Sequence, residues 1–263
     1  VKFIRKILVR LLGLKGYLQL VSRIYIRLIR FGFFKTKHSE LHFIGQIVQP
    51  GAAVLDIGAN LGYYSFFMAK YLEGNGSLIA VEPIPLFAEI WKKNLATFNQ
   101  KNIWLFNCAL GQEARSEVTM TIPVVDGVVR HGLTRIDEQA NTIHSNLSFM
   151  VPMRNGDELI KAAGLDRLDF VKCDVEGYEQ FVMPSLRETL STLKPMIQIE
   201  LSGNENRTTV FNFLTKLGYR AYVLKDFKLF AIEKSDIFTH PRDFYFIHPD
   251  GASWQSKLLG NSK

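Results

Sequence analysis

With 263 residues, 47% of them hydrophobic, the chain can bury a full core, and one α/β domain with a short extra element is the size class to expect. Its two cysteines, Cys108 and Cys173, form no C-x-x-C pair that would point to zinc or redox work; each closes an apolar strand-like run, as buried free thiols in a reducing compartment do. The net charge of +7 is uneven: ten basic residues and no acid lie between Val1 and Lys37, which leaves −3 for His38 onward and argues for a local contact by a basic arm rather than a nucleic-acid groove.

Residues 1–50 read as a basic, amphipathic helical extension. Ile4, Ile7, Leu8, Leu11 and Leu12 fall on one helical face, with Lys2, Arg5, Lys6 and Arg10 mostly opposite. After Gly13 and Gly16 a second segment sets Val21, Ile24, Tyr25 and Leu28 against Arg23, Arg27 and Arg30. Charges interrupt every few residues, so nothing approaches the roughly 20 apolar residues of a membrane span. Nor does an uninterrupted apolar region with a cleavage-like site mark a secretory signal. The arm is expected to pack on the domain that follows, with peripheral contact of residues 1–37 to the inner face of a membrane as an added role in a cytoplasmic protein.

From residue 51 to 249 strand and helix patterns alternate, and 250–263 reads as a tail. The run Ala53 to Leu55 with Ile57 is a buried strand that ends in Asp56 and the turn Gly58-x-x-x-Gly62; residues 64–71 then read as a helix. A dinucleotide fingerprint wants glycines at 60 and 63, where Asn60 and Tyr63 stand, so a pyrophosphate fits poorly. The next strand, 77–81, runs into Glu82, placed to accept both hydroxyls of a ribose. A ribose without a pyrophosphate points to S-adenosylmethionine (SAM).

Further on, a helix over 85–99 and strands over 103–108 and 117–122 precede a polar, glycine-punctuated excursion, 123–146, that shows no core pattern. Strands at 147–152, 168–173 and 195–201 alternate with helices at 156–163, 178–190 and 207–217, and short strands near 219–224, 229–233 and 244–247 finish the domain. This predicts an α/β, Rossmann-like fold: a mostly parallel seven-stranded sheet with helices on both faces. Ligands bind beyond the carboxyl ends of such strands. The residues there are Asp56, Glu82, Asn107, Asp174 with Glu176, and Glu200.

The string Leu168-Asp169-Phe170-Val171-Lys172-Cys173-Asp174-Val175-Glu176-Gly177-Tyr178-Glu179 resembles the signature of the FkbM family of methyltransferases, whose fourth strand runs into D-V-E-G-x-E. The likeness extends to Asp56-x-Gly58-Ala59-Asn60-x-Gly62-x-Tyr64-Ser65, to Asn107-Cys108-Ala109-Leu110-Gly111 and to Glu200-Leu201, across roughly 51–249. The basic arm lies outside it. The resemblance implies SAM-dependent O-methylation of a hydroxyl on a sugar, glycan or related natural product, the acceptor being a small molecule or a glycan.

In that setting Asp56 and the loop of Gly58, Asn60 and Gly62 are expected to hold the methionine part of the cofactor, Glu82 its ribose, and Asn107 with the Cys108 backbone the adenine edge. Asp174 would lie beside the methyl group. An alcohol must also lose its proton to a base. Asp174 and Glu176 are the first candidates, with Glu200 and the loop residue His131 behind them; a metal-free site is preferred, and a divalent metal shared by Asp174, Glu176 and Glu200 is the alternative. Two rivals stand beside this reading: an RNA-binding protein or RNA methyltransferase that uses the arm, and an NAD-dependent oxidoreductase. Missing glycines weaken the second, and arm charges interleaved with aliphatics weaken the first.

Overall fold

The computed structural model describes residues 2–98, 100–125, 128–129, 135–136 and 147–260. The chain opens with α1 (Lys2–Arg30) and α2 (Ser39–Ile47), then β1 (Ala53–Ile57), α3 (Tyr63–Tyr71), β2 (Ser77–Val81), α4 (Pro85–Leu95) and β3 (Ile103–Phe106). A middle group follows: β4 (Ala109–Leu110), β5 (Arg115–Ile122), β6 (Val124–Val125), β7 (Val128–Val129), β8 (Arg135–Ile136), β9 (Leu147–Arg154) and α5 (Gly156–Ala162). The last elements are β10 (Phe170–Cys173), α6 (Glu179–Ser185), α7 (Arg187–Leu193), β11 (Met196–Glu200), α8 (Asn204–Lys216), β12 (Arg220–Lys225), β13 (Lys228–Ala231) and β14 (Asp243–Ile247).

The main sheet has the order β13-β12-β14-β11-β10-β1-β2-β3. Its β3, β2, β1, β10 and β11 pair in parallel, while β14 runs antiparallel between β11 and β12. Strands β1 and β10 are buried along their whole length, which is why they read as near-continuous apolar runs. The sheet therefore holds eight strands, one more than the seven expected. The strand expected near 229–233, β13, folds back on β12 through Asp226 and Phe227, both at positive φ (50° and 58°) as a two-residue hairpin turn requires. Within residues 250–260, Leu258 is buried and Leu259 bridges to Leu229.

Two expectations change. The single helix over 178–190 is two, α6 and α7, which meet at Leu186 just beyond Pro184, a residue with no backbone donor to continue the ladder. The strands flanking the polar excursion, β5 and β9, pair from Val118↔Val151 to Ile122↔Leu147 and build a second sheet with β4 and β8. The inner face of this sheet (Val118, Met120, Ile122, Val151, Met153) packs on Leu61, Ile84, Phe87 and Ile90. Met120 is thereby carried to the ligand end of the main sheet.

The arm packs, though on a different stripe from the one its hydrophobicity suggests. Helix α1 kinks at Gly13 (φ 67°, ψ 169°), and its second half buries Leu18, Ser22, Ile26 and Ile29, while Ile24 is exposed. Ser22 hides the stripe from a hydrophobic reading, because it is buried as a polar partner. Asn94 of α4 donates from Nδ2 to Ser22 Oγ (2.9 Å) and to the Leu61 carbonyl (2.8 Å), and its Oδ1 accepts from Gln19 Nε2 (2.6 Å). Buried groups that lose such partners cost roughly 1–3 kcal/mol. Asn94→Ala should therefore lower the unfolding free energy in urea by about 2 kcal/mol and expose residues 14–30 to limited proteolysis; an unchanged midpoint and cleavage pattern would mean that the arm is not held here.

Candidate functional site

The carboxyl ends of β1, β2 and β10 converge on one hollow. After β1 the chain turns at Gly58 (φ 76°), where a Cβ would fall 1.9 Å from the Asp174 carbonyl oxygen, so only glycine lets the loops after β1 and β10 meet. Gly62 (φ 87°) caps α3 and presses against Trp91, leaving no room for a side chain either. Between them Asn60 takes a left-handed conformation (φ 49°), which asparagine tolerates better than most residues.

Glu82 closes β2 and is 4% exposed. Its Oε2 accepts from the Asn60 N–H (2.7 Å) and its Oε1 from the Ile84 N–H (2.8 Å), which ties the glycine loop to the start of α4. Burial pushes its pKa up to about 7, against the pull of those two backbone donors. The hollow in front of it, about 240 Å³, is lined by Gly58, Asn60, Tyr63, Glu82, Phe87, Met120, Asp174 and Glu176 among others.

Beneath the hollow lies a charge that the sequence reading passed over. Lys172 is 5% exposed in β10, donates to Asp174 Oδ2 at 3.0 Å and sits 4.6 Å from the centre of the Tyr64 ring. Burial alone would lower its pKa, but the carboxylates of Asp174 and Asp56 outweigh that and hold it above the usual lysine value. A lysine inside an otherwise apolar strand was the available signal. Lys172, Asp174, Tyr63 and Tyr64 also line a second cavity, of about 500 Å³.

The expected residues divide between these places. Asp174 lines both cavities; Gly58, Asn60, Glu82 and Glu176 line the first, and Glu200 the second. Glu176 takes φ 54°, and burial first, then the charges of Asp174, Glu200 and Glu179, raise its pKa to about 7. Glu200 is raised by burial and by Asp174, and Arg242 opposes this across a 3.3 Å contact. Asp56 lies under the floor, fully buried: its Oδ2 accepts from Ser65 Oγ (2.5 Å), itself the acceptor for Trp91 Nε1, while Oδ1 has no hydrogen-bond partner among the described residues. Burial raises the Asp56 pKa against the Lys172 charge.

Asn107 lines neither cavity. Its Nδ2 donates to the carbonyls of Glu82 and Pro83 and so braces the turn after β2. Cys108 borders a small apolar cavity with Val81, Pro83, Met120 and Tyr178. His131 lies outside the described residues. Among the described residues no three His, Cys, Asp or Glu side chains are grouped to hold a metal ion. Missed altogether were His38, Glu40 and Asp243, which line the second cavity from segments distant in the chain.

Residues 56–221 match the methyltransferase FkbM domain. The chain is 25% identical over 191 residues to the AMB antimetabolite synthetase AmbE of Pseudomonas aeruginosa (62% of this chain, 9% of that protein). It is 22% identical over 169 residues to Methyltransferase 1 of Beauveria bassiana (58% of this chain, 65% of that protein). Among solved structures it is similar to methyltransferase FkbM from Methylobacillus flagellatus KT, with 15% identity and a TM-score of 0.48 over 74% of this chain and 43% of that one. The chain thus spans less than two thirds of the length of each of these relatives.

Buried carboxyls with raised pKa values govern the response to pH, Glu82, Glu176 and Asp243 among them. Glu82, Glu176 and Asp243 stand at about 7 in the fold, against 4.5 for glutamate and 3.8 for aspartate in the unfolded chain. The folded state holds their protons longer, so the stability they lend is whole below the unfolded values and is lost as pH rises through about 7. His38, whose pKa is lowered by burial, acts in the opposite sense but is outnumbered. The melting temperature of the ligand-free protein should fall between about pH 5 and pH 8 in calorimetry, and less steeply in Asp243→Asn; a steady rise over that range would contradict this.

Proposed function

Because the chain belongs to the FkbM methyltransferase family, we propose that it is a SAM-dependent O-methyltransferase whose acceptor is a hydroxyl of a sugar, glycan or related natural product. The observation that carries this is the Glu82 carboxylate at the mouth of a glycine turn. Two main-chain donors fix it, and the remaining lone pairs of its oxygens suit a pair of ribose hydroxyls. The Asp174 carboxylate, which lines the hollow beside the loop from Gly58 to Asn60, suits the ammonium of an amino-acid ligand, while Asp56 supports that loop from below. Phe87, Met120 and Pro83, which line the hollow, offer an apolar side that suits a purine face.

Bound there, SAM supplies an electrophilic methyl group. The work left to the protein is to position the acceptor and receive its proton. Asp174, held by Lys172, is the group that orients the acceptor hydroxyl from the wall between the two cavities. Glu176 is the better proton acceptor, since a base with a pKa of about 7 matches neutral operation. Its left-handed backbone is the kind of local strain kept where a side chain must be aimed. With Asp174 engaged by Lys172 and Glu200 by Arg242, the metal-free route is the one adopted.

The arm supplies a location. No helix among the described residues is long and apolar enough to cross a membrane. Yet Leu11 (74% exposed) and Phe31 (78% exposed), with Ile4, Ile7, Phe33 and Phe34, leave apolar side chains outside among the ten basic residues. Such a surface fits the headgroup layer of an anionic bilayer, at the cytoplasmic face where lipid-linked sugars would be within reach.

In calorimetry the protein should bind SAM and give no heat with NAD. Glu82→Ala should weaken SAM at least about tenfold, the loss expected for hydrogen bonds to a charged group; equal affinity would remove Glu82 from the site. Asp174→Asn should still bind SAM, though more weakly, yet lose transfer of labelled methyl into a pooled glycan extract at saturating SAM, and undiminished transfer would dismiss it. The full chain should float with phosphatidylglycerol-containing vesicles but not with phosphatidylcholine alone, and less well after Phe31→Ser with Phe33→Ser; equal flotation on both lipids would contradict a charged, apolar seat.

A further inference from the structure

The second cavity joins strand ends of the matched 56–221 to parts of the chain outside it. Tyr25 of α1 and Glu40 of α2 face it from one side, and Glu200 and Asp243, paired residues at the edge of β11 and β14, from the other. Tyr25 stands edge-on to both Tyr63 (4.9 Å between ring centres) and His38 (5.5 Å), giving the cavity an aromatic side. Its polar side is acidic. Glu40, Asp174, Glu200 and Asp243 border it, against Lys37 and a Lys172 already bound to Asp174.

A cluster of acids alone would say little, but Gln198 adds an independent mark. It is 1% exposed, lines the same cavity, and donates from Nε2 to Tyr64 Oη at 3.2 Å, while its Oε1 is buried without a partner among the described residues. A buried acceptor left unpaired costs stability unless a donor arrives. Carboxylates and an amide oxygen that accept, beside aromatic faces that pack on C–H groups, match a polyhydroxylated ring. A phosphate or carboxylate would meet like charge. The size, about 500 Å³, lies in the range of small-molecule sites.

On the footing of the methyltransferase assignment above, we propose that this second cavity is the acceptor site and that it takes a polyhydroxylated group bearing no negative charge, with Glu40, Gln198 and Asp243 accepting its hydroxyls. Asp174 and Lys172 form the wall shared with the cofactor hollow, so a hydroxyl bound here reaches the one carboxylate that borders both. The residues that choose the acceptor thus come largely from the N-terminal segment and β14, and the residues that hold the donor come from the matched domain.

Saturation-transfer NMR on the full chain tests this with the methyl glycosides of glucose, galactose, mannose and rhamnose, beside glucose 6-phosphate and glucuronate. Uncharged glycosides should receive saturation and the two anions should not. Glu40→Gln and Gln198→Leu should each weaken the glycoside signal by about tenfold, the loss of a charged or buried hydrogen bond, and leave the calorimetric SAM isotherm unchanged. Glu40, only partly buried, keeps the test open if Gln198→Leu fails to fold. Anions that bind as well as the glycosides, no saturation of any glycoside, or glycoside binding untouched in Glu40→Gln would each overturn the assignment. A wild-type protein that binds glycosides but not SAM would instead defeat the methyltransferase reading beneath it.

Discussion

A single ammonium group, buried in a parallel strand, holds the ligand end of this fold together. Lys172 is charged at a depth where burial opposes charge, and it remains so because Asp174 touches it and Asp56 lies close. Pairs of this kind gain little net stability, but breaking one strands its partner, at a cost on the order of 3–5 kcal/mol. The consequence is geometric. Asp174 is drawn to the partition between two cavities, and the Tyr64 ring is set over the amine.

Around that pair the glycine contacts are equally unforgiving. The loop after β1 lies against the Asp174 carbonyl with no space for a methyl group, so the end of β1 and the end of β10 move as one. Glu82 then fastens the same loop to the third strand end through two backbone donors. Two cavities that share such a stiff wall would be preorganised for the proposed donor and acceptor, as a displacement governed by positioning requires.

Much of this could be read in the chain. The parallel strands announced themselves because burial on both faces demands unbroken apolar runs, and Glu82 stood out because an acid at the end of the second strand has one familiar use. Asp56 was legible as a position but not as a contact: its neighbours Ser65 and Trp91 turn it inward, beneath the hollow it was expected to line. Asn107 likewise braces a turn. The second cavity was illegible, since His38, Glu40, Gln198 and Asp243 meet only through the fold and none belongs to a local pattern. The buried face of α1 was misread for a related reason, because Ser22 owes its burial to Asn94, 72 residues away.

Hydrogen–deuterium exchange with and without SAM bears most directly on where the cofactor sits. Bound SAM should slow exchange at the amides of Asn60 to Tyr63, Ile84 and Asp174 to Gly177, the backbone that frames the Glu82 hollow. Protection confined to the cleft between α5 and α7, lined by Asp157, Lys161 and Glu188, or no protection at the glycine turn, would contradict it.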